Sequence, residues 1–245
     1  MKDEIIRIAM WSGPRNLSTA MMRSFGARSD TFCIDEPFYA AYLSLTGLKH
    51  PMWKEIVDHH ETDPAKVGRL LAQEPVEAGL FYQKHMTHHM IPGIPIDWMA
   101  GMKHAFLIRH PARVIASYRN KMEQVSTEAL GYSRQLDLFK IAETLTGQRP
   151  VVIDSDDVLR QPDRLLRALC DALSIPYQKT MLHWRSGPRP EDGIWARHWY
   201  DRVYASTGFT EPISDLPQIS ATDKVVFDHA LEIYRVLSQE RLKPA

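Results

Sequence analysis

The sequence predicts an α/β fold: three layers, with a mainly parallel sheet carrying helices on both faces. Three observations predict it. Short apolar runs alternate with stretches at helical spacing along most of the chain, the pattern of repeated strand–helix units. The first run, Ile5 to Met10, is broken only by Arg7 and reads as a buried strand. With 245 residues, 44% of them hydrophobic, the chain can close one large core. A single domain over residues 1–245 is the expectation.

After the first strand comes a loop, Trp11 to Asn16, and then a helix over Leu17 to Phe25 with Leu17, Met21 and Phe25 on one face. Thr31 to Ile34 is a second strand, ended by Asp35-Glu36-Pro37. Residues 38–78 are expected to form a helical insertion or lid, with helical stretches at Trp53 to His60 and from Pro64 to Gln73. Leu80 to Gln83 is a third strand. Met86 to Gly101, with two prolines and several histidines, reads mostly as loop. His104 to Ile108 is a strand, Arg109-His110-Pro111 a turn, and Ala112 to Arg119 a helix that Pro111 can start, since it lacks only a donor that would be orphaned there. Val151 to Ile153 is a strand followed by an acidic loop, Asp154 to Asp157. Pro162 to Leu173 is amphipathic, with Leu165, Leu169 and Leu173 aligned. Residues 184–216 read as irregular, and Asp223 to Leu237 as a closing helix. In such a sheet ligands lie beyond the carboxyl ends of the strands. The loops at 11–19, 35–37, 83–89, 109–117 and 154–157 are expected on that edge.

Acidic and basic residues balance at 30 each, so nucleic acid and anionic membranes are not general partners, and any anion site must be local. No stretch is apolar enough to span a bilayer. Cys33 and Cys170 lie in apolar runs and read as buried free thiols. With no signal-peptide pattern at the start, the expectation is a cytoplasmic protein.

The start of the chain is P-loop-like: strand, loop, helix. Ser12-Gly13-Pro14-Arg15-Asn16-Leu17-Ser18-Thr19 brings a guanidinium and two hydroxyls to the free N–H groups of a helix start, a combination suited to phosphate or sulfate. It is not a Walker A loop, which requires a second glycine followed by lysine. Arg109 to Tyr118 is a second strand-to-helix junction, where an anion could be gripped between Arg109 and Ser117.

With these two loops the sequence resembles the sulfotransferase family that uses 3'-phosphoadenosine 5'-phosphosulfate (PAPS). Pro14-Arg15-Asn16-Leu17-Ser18-Thr19 is similar to the family's 5'-phosphosulfate loop, with Asn16 and Leu17 departing from its pattern. Arg109, Pro111, Ser117 and Tyr118 match its second motif at the expected spacing. Gly193-Ile194-Trp195 resembles the Gly-x-Trp of the loop that closes on the nucleotide. The resemblance covers about residues 5–28, 80–120 and 150–210. It implies a PAPS-dependent transferase acting on a small-molecule acceptor. Gly13, Pro14, Arg15, Asn16, Ser18 and Thr19 would cradle the phosphosulfate, Arg109 and Ser117 the 3'-phosphate, and the 184–216 segment, with Gly193 and Trp195, would close over the cofactor.

Transfer needs a base near the acceptor and cations facing the charge that develops. Glu36, directly after the second strand, is the first candidate base; it resembles the Glu that many carbohydrate and tyrosyl-protein sulfotransferases place there. His85 is the rival, by likeness to the Lys-Thr-His segment of cytosolic small-molecule sulfotransferases, with Lys84 a candidate contact to the sulfuryl group. His85, His88 and His89 share spacing that could suit a metal, but proline and glycine follow at once and no carboxylate stands at ligand spacing, so no metal is expected. The aromatic and basic residues between Trp184 and Tyr204 fit adenine stacking better than nucleic acid. A kinase-like phosphotransferase and a non-catalytic nucleotide- or partner-binding protein of the same fold are the competing readings.

Overall fold

The computed structural model describes residues 5–122, 124–211 and 215–243. Five parallel strands, β1 (Ile6–Ser12), β2 (Thr31–Asp35), β3 (Leu80–Met86), β4 (Lys103–Ile108) and β5 (Val151–Asp154), form one sheet in the order β2-β3-β1-β4-β5. The helices are α1 (Ser18–Gly26), α2 (Tyr39–Thr46), α3 (Trp53–His59), α4 (Pro64–Gln73), α5 (Pro111–Arg119), α6 (Thr127–Leu130), α7 (Tyr132–Thr146), α8 (Ser155–Arg160), α9 (Pro162–Ala172), α10 (Ala196–Trp199), α11 (Asp201–Tyr204) and α12 (Lys224–Gln239). The chain builds β2 and β3 on one side of β1, then crosses to the other side for β4 and β5. The loops therefore diverge at the carboxyl end of β1, the place where such sheets bind ligands.

Strand alternation splits the core into two faces. Ile8, Met10, Tyr82, Leu107 and Ile153 pack on Met21 and Phe25 of α1, Val158 of α8 and Leu165 and Leu169 of α9. Ala9, Trp11, Phe81, Phe106 and Val152 pack on α4, α5, α7 and α12. This is the three-layer arrangement the apolar pattern predicts. Each large apolar side chain fully withdrawn from water stabilises the fold by about 1.5–3 kcal/mol. A third cluster joins Tyr39, Tyr42 and Ile56 of the 38–78 insertion to Trp195 and Tyr200.

Several elements extend beyond their expected limits. β1 continues through Trp11 and Ser12, because both residues have a parallel neighbour on each side: His85 and Met86 in β3, Phe106 and Leu107 in β4. β3 continues to Met86 rather than ending at Gln83, so Lys84 and His85 are consecutive strand residues. The acidic stretch after β5 is not an open loop. The Asp154 carboxylate accepts from the Asp156 N–H at 2.8 Å, a cap that starts α8 at Ser155. Residues 38–78 hold α2 to α4. The described residues of the irregular 184–216 segment form the short α10 and α11 and a single antiparallel bridge from Gly208 to His183; residues 212–214 lie outside the described residues.

Candidate active site

Beyond the carboxyl ends of the strands lies a cavity of about 680 Å³. Its first wall is the β1–α1 loop. Gly13 is required there by close approach: a Cβ would lie 2.5 Å from the Leu130 carbonyl oxygen. Arg15 (φ 61°) and Leu17 (φ 69°) both take the left-handed conformation, which strains L-residues. Two bonds hold this shape. The Asn16 side-chain amide donates to Leu107 O at 3.3 Å, and the Asn16 carbonyl accepts from the Ser155 hydroxyl at 2.8 Å.

Arg15 donates through Nε to Ser117 Oγ at 2.9 Å, and Arg109 donates to the Arg15 carbonyl at 2.9 Å. The two anion loops thus form one surface. Arg109 Nε lies 3.6 Å from Asp156, whose other oxygen takes a 2.6 Å bond from Arg113. Arg202, from the 184–216 segment, lines the same space. Burial lowers the pKa of Arg15, and the nearby Arg202 and Arg109 guanidiniums lower it further. Pro14, Asn16, Ser18, Thr19 and Ser117 complete this end of the wall. Guanidiniums that repel one another around a cavity are poised for a polyanion.

The other end is built on β2 and β3. The Lys84 ammonium donates to Asp35 Oδ1 at 2.7 Å, to Glu36 Oε1 at 2.6 Å and to the Tyr200 hydroxyl at 2.6 Å, so its three protons are all engaged. Tyr200 in turn donates to Asp35 Oδ2 at 2.7 Å. Burial alone would lower the Lys84 pKa, but the Asp35 and Glu36 carboxylates outweigh it and lift that pKa well above its ordinary value. Glu36 (φ 42°) turns back over Lys84. Burial and Asp35 raise its pKa, against the pull of Lys84. Tyr39, His50, His88 and His89 line the space beyond.

The structure brings together Pro14, Arg15, Asn16, Ser18, Thr19, Glu36, Lys84, Arg109 and Ser117 around this cavity. It does not bring His85 to it. His85 points to the opposite face of β3, stacked on Trp11 with ring centroids 4.5 Å apart and near Gln83, Phe38 and Trp98. Burial pushes its pKa down to about 3. Gly193 and Trp195 also stand off the cavity wall. Trp195 is buried against Tyr39 and His60. Its ring lies so close over Gly193 that a Cβ there would be 2.1 Å from it. The Gly193 N–H donates to Asp35 at 3.2 Å, and Asp192 accepts a two-pronged ion pair from buried Arg23. These contacts fasten the 184–216 segment to the sheet, and residues 199–203 reach the cavity instead. The sequence gives no individual role to Tyr200, Arg202 or His50. Among the described residues, no three His, Cys, Asp or Glu side chains converge as metal ligands.

A sulfotransferase domain family matches residues 6–240. The chain belongs to the sulfotransferase family. Solved structures share its fold. Among them are a sulfotransferase domain from the curacin biosynthetic pathway (TM-score 0.53, 17% identity, 98% of this chain and 100% of that one), one from the Synechococcus PCC 7002 olefin synthase (0.51, 16%, 96% and 96%), and a sulfotransferase from Alicyclobacillus acidocaldarius (0.51, 13%, 95% and 99%). Two Arabidopsis thaliana proteins named branched-chain-amino-acid aminotransferase-like protein 1 and 2 are each 36% identical over 230 residues, 94% of this sulfotransferase-family chain. The chain spans only 41% of the length of these relatives. No helix among the described residues is long and apolar enough to cross a membrane.

Proposed function

We propose that the protein transfers a sulfuryl group from PAPS to a hydroxyl or amine of a small acceptor. The observation that carries this reading is the convergence of Arg15, Arg109 and Arg202 at one end of the cavity whose other end holds the Glu36–Lys84 pair. The residues present fit the donor. Arg109 and Ser117 would hold its 3'-phosphate, while Arg15, Ser18, Thr19 and the loop around Gly13, Pro14 and Asn16 would hold its phosphosulfate. PAPS supplies the sulfuryl group on a phosphate that can leave with the bridging oxygen.

Glu36 takes the acceptor's proton in this reading. It lines the cavity, whereas His85 is enclosed by Trp11 and Phe38, and a carboxylate with a raised pKa is a better base for an alcohol. Lys84 holds Glu36 in place and offers positive charge to the transfer end. Gly193 and Trp195 act by packing, keeping the closing segment, and with it Tyr200 and Arg202, against the site. Both cysteines are buried free thiols, which supports a reducing compartment such as the cytoplasm.

The name of the Arabidopsis relatives invites an aminotransferase reading. That chemistry needs a lysine whose amine can be freed of its proton. Lys84 is lifted in pKa and committed to three partners, Lys121 is paired with Asp201, and the match covers 41% of those proteins, so we attribute that name to the part of them beyond the match.

Calorimetric titration with 3'-phosphoadenosine 5'-phosphate, ATP and ADP tests the reading. The bisphosphate is expected to bind at least ten-fold more tightly than either. A preference for ATP would contradict the sulfotransferase assignment and favour a phosphotransferase.

A further inference from the structure

The histidines beyond Glu36 have no place in the chemistry above. Tyr39 stacks on His89 with centroids 4.5 Å apart, Tyr42 stacks on it from 5.0 Å, and His88 meets it edge-on at 4.4 Å. His50 shares a 3.0 Å hydrogen bond with the Tyr39 hydroxyl. His89 is only 2% exposed, yet it lines the cavity. Among the described residues neither His88 nor His89 has a hydrogen-bond partner, and the Nδ1 atoms of both are sealed away from solvent.

A sealed, unpartnered nitrogen costs less as a bare lone pair than as a stranded N–H. Each ring therefore carries its proton on Nε2, and both residues line the cavity. Two neutral N–H donors then face the acceptor end. The charged groups around them do not call for an anion. The Lys84 ammonium is shared between Asp35 and Glu36, Lys121 on the cavity wall is paired with Asp201 at 3.2 Å, and Arg15, Arg109 and Arg202 stand together at the donor end. Burial holds His88 near a pKa of about 3 and keeps His89 well below its ordinary value.

We infer that the acceptor is an uncharged, hydroxyl-bearing molecule whose oxygens are taken by the Nε2–H groups of His88 and His89. The inference rests on the sulfotransferase reading and names the substrate class for that site. It excludes acceptors whose body carries a carboxylate, sulfate or phosphate, because the two lysines of the lining, Lys84 and Lys121, are already paired with carboxylates.

The test uses the full chain labelled with 15N-histidine and saturated with 3'-phosphoadenosine 5'-phosphate. Long-range 1H–15N spectra first report the tautomers, which are expected to be Nε2–H for both residues. Methyl β-D-glucopyranoside and myo-inositol are then titrated against methyl β-D-glucuronide, which has the glucoside's ring with a carboxylate added. The neutral probes are expected to shift both imidazole signals and to bind at least ten-fold more tightly than the glucuronide. His89→Gln, whose amide nitrogen falls near the imidazole Nε2, should retain that binding. His89→Phe, which keeps the stacking, should lose it at least ten-fold, and both variants should bind the bisphosphate as wild type does. Nδ1–H tautomers, a glucuronide that binds as well as the glucoside, or neutral probes that do not bind the bisphosphate-loaded protein would each overturn the inference. Failure of the bisphosphate itself to bind would strike the sulfotransferase reading instead.

Discussion

The two ends of the cavity solve opposite problems. At the arginine end, like charges are gathered and left facing one another, with Arg15 and Leu17 in a strained backbone around them. At the Lys84 end, the charges are opposite, buried and already matched: one ammonium with two carboxylates and a phenol. The difference teaches which end awaits a ligand. Under the proposed function the arginine end is completed by the donor's phosphates, whereas the Lys84 end is an integral part of the fold. Substitutions should therefore separate the two, with stability changing at one end and affinity at the other.

The largest expected effect is at Lys84. Lys84→Met leaves Asp35 and Glu36 buried without a cation and should destabilise the protein by about 3–5 kcal/mol. Adding Asp35→Asn and Glu36→Gln should recover much of that loss. Urea midpoints of the two variants measure both effects; a stable single variant would break the comparison.

Acid should act through the buried histidines. The pKa of His85 and of His88 is pushed down to about 3, and that of His104 to about 4, chiefly by burial. These rings stay neutral in the folded chain while the unfolded chain takes up protons below about pH 6.5. The stability they contribute is present above that pH and lost as the pH falls toward 4. Each ring accounts for up to about 1.4 kcal/mol per pH unit. Urea midpoints between pH 7 and 4.5 should fall steeply, and a flat profile would mean that the rings are not held neutral.

At the other end, Arg109→Ala should weaken binding of 3'-phosphoadenosine 5'-phosphate by about 1.5–3 kcal/mol while leaving binding of adenosine 5'-phosphate little changed. Its urea midpoint should stay close to wild type. Equal loss for both nucleotides in calorimetry would make Arg109 a structural residue or place it on another group.

The smallest effect is expected at Leu17. Leu17→Gly removes the left-handed strain at the first position before α1 and should raise stability by about 0.5–1 kcal/mol, offset in part by glycine's greater freedom in the unfolded chain. A lower melting temperature would show that the Leu17 side chain's packing outweighs its backbone strain.

The sequence made the arginine end legible because each loop directly follows a short apolar strand and carries its charged and hydroxyl residues within a few positions. Arg15, Ser18, Thr19, Arg109 and Ser117 could be read together for that reason. The sheet was legible for the same reason, since Ile8, Met10, Leu107 and Ile153 are buried on apolar runs. What was not legible came from distance along the chain or from polar burial. α7 carries Gln135 into the core, where its amide donates to Leu107 O at 2.9 Å, and this breaks the apolar pattern that would have marked the helix. Tyr200 meets Lys84 across 116 residues. His85 and Lys84 could not be told apart until β3 was seen to run on to Met86, because alternation along the strand then sends one to the core and the other to the cavity.

The central claim is that donor binding and proton removal belong to different ends of one cavity. Single-turnover transfer from 35S-labelled PAPS to a panel of small hydroxyl acceptors, run beside bisphosphate calorimetry on Glu36→Gln, tests it most directly. Transfer by the variant should fall at least a hundred-fold while its affinity for 3'-phosphoadenosine 5'-phosphate stays within a few-fold of wild type. Wild-type transfer by Glu36→Gln, or a loss of bisphosphate affinity that matches the loss of transfer, would contradict it.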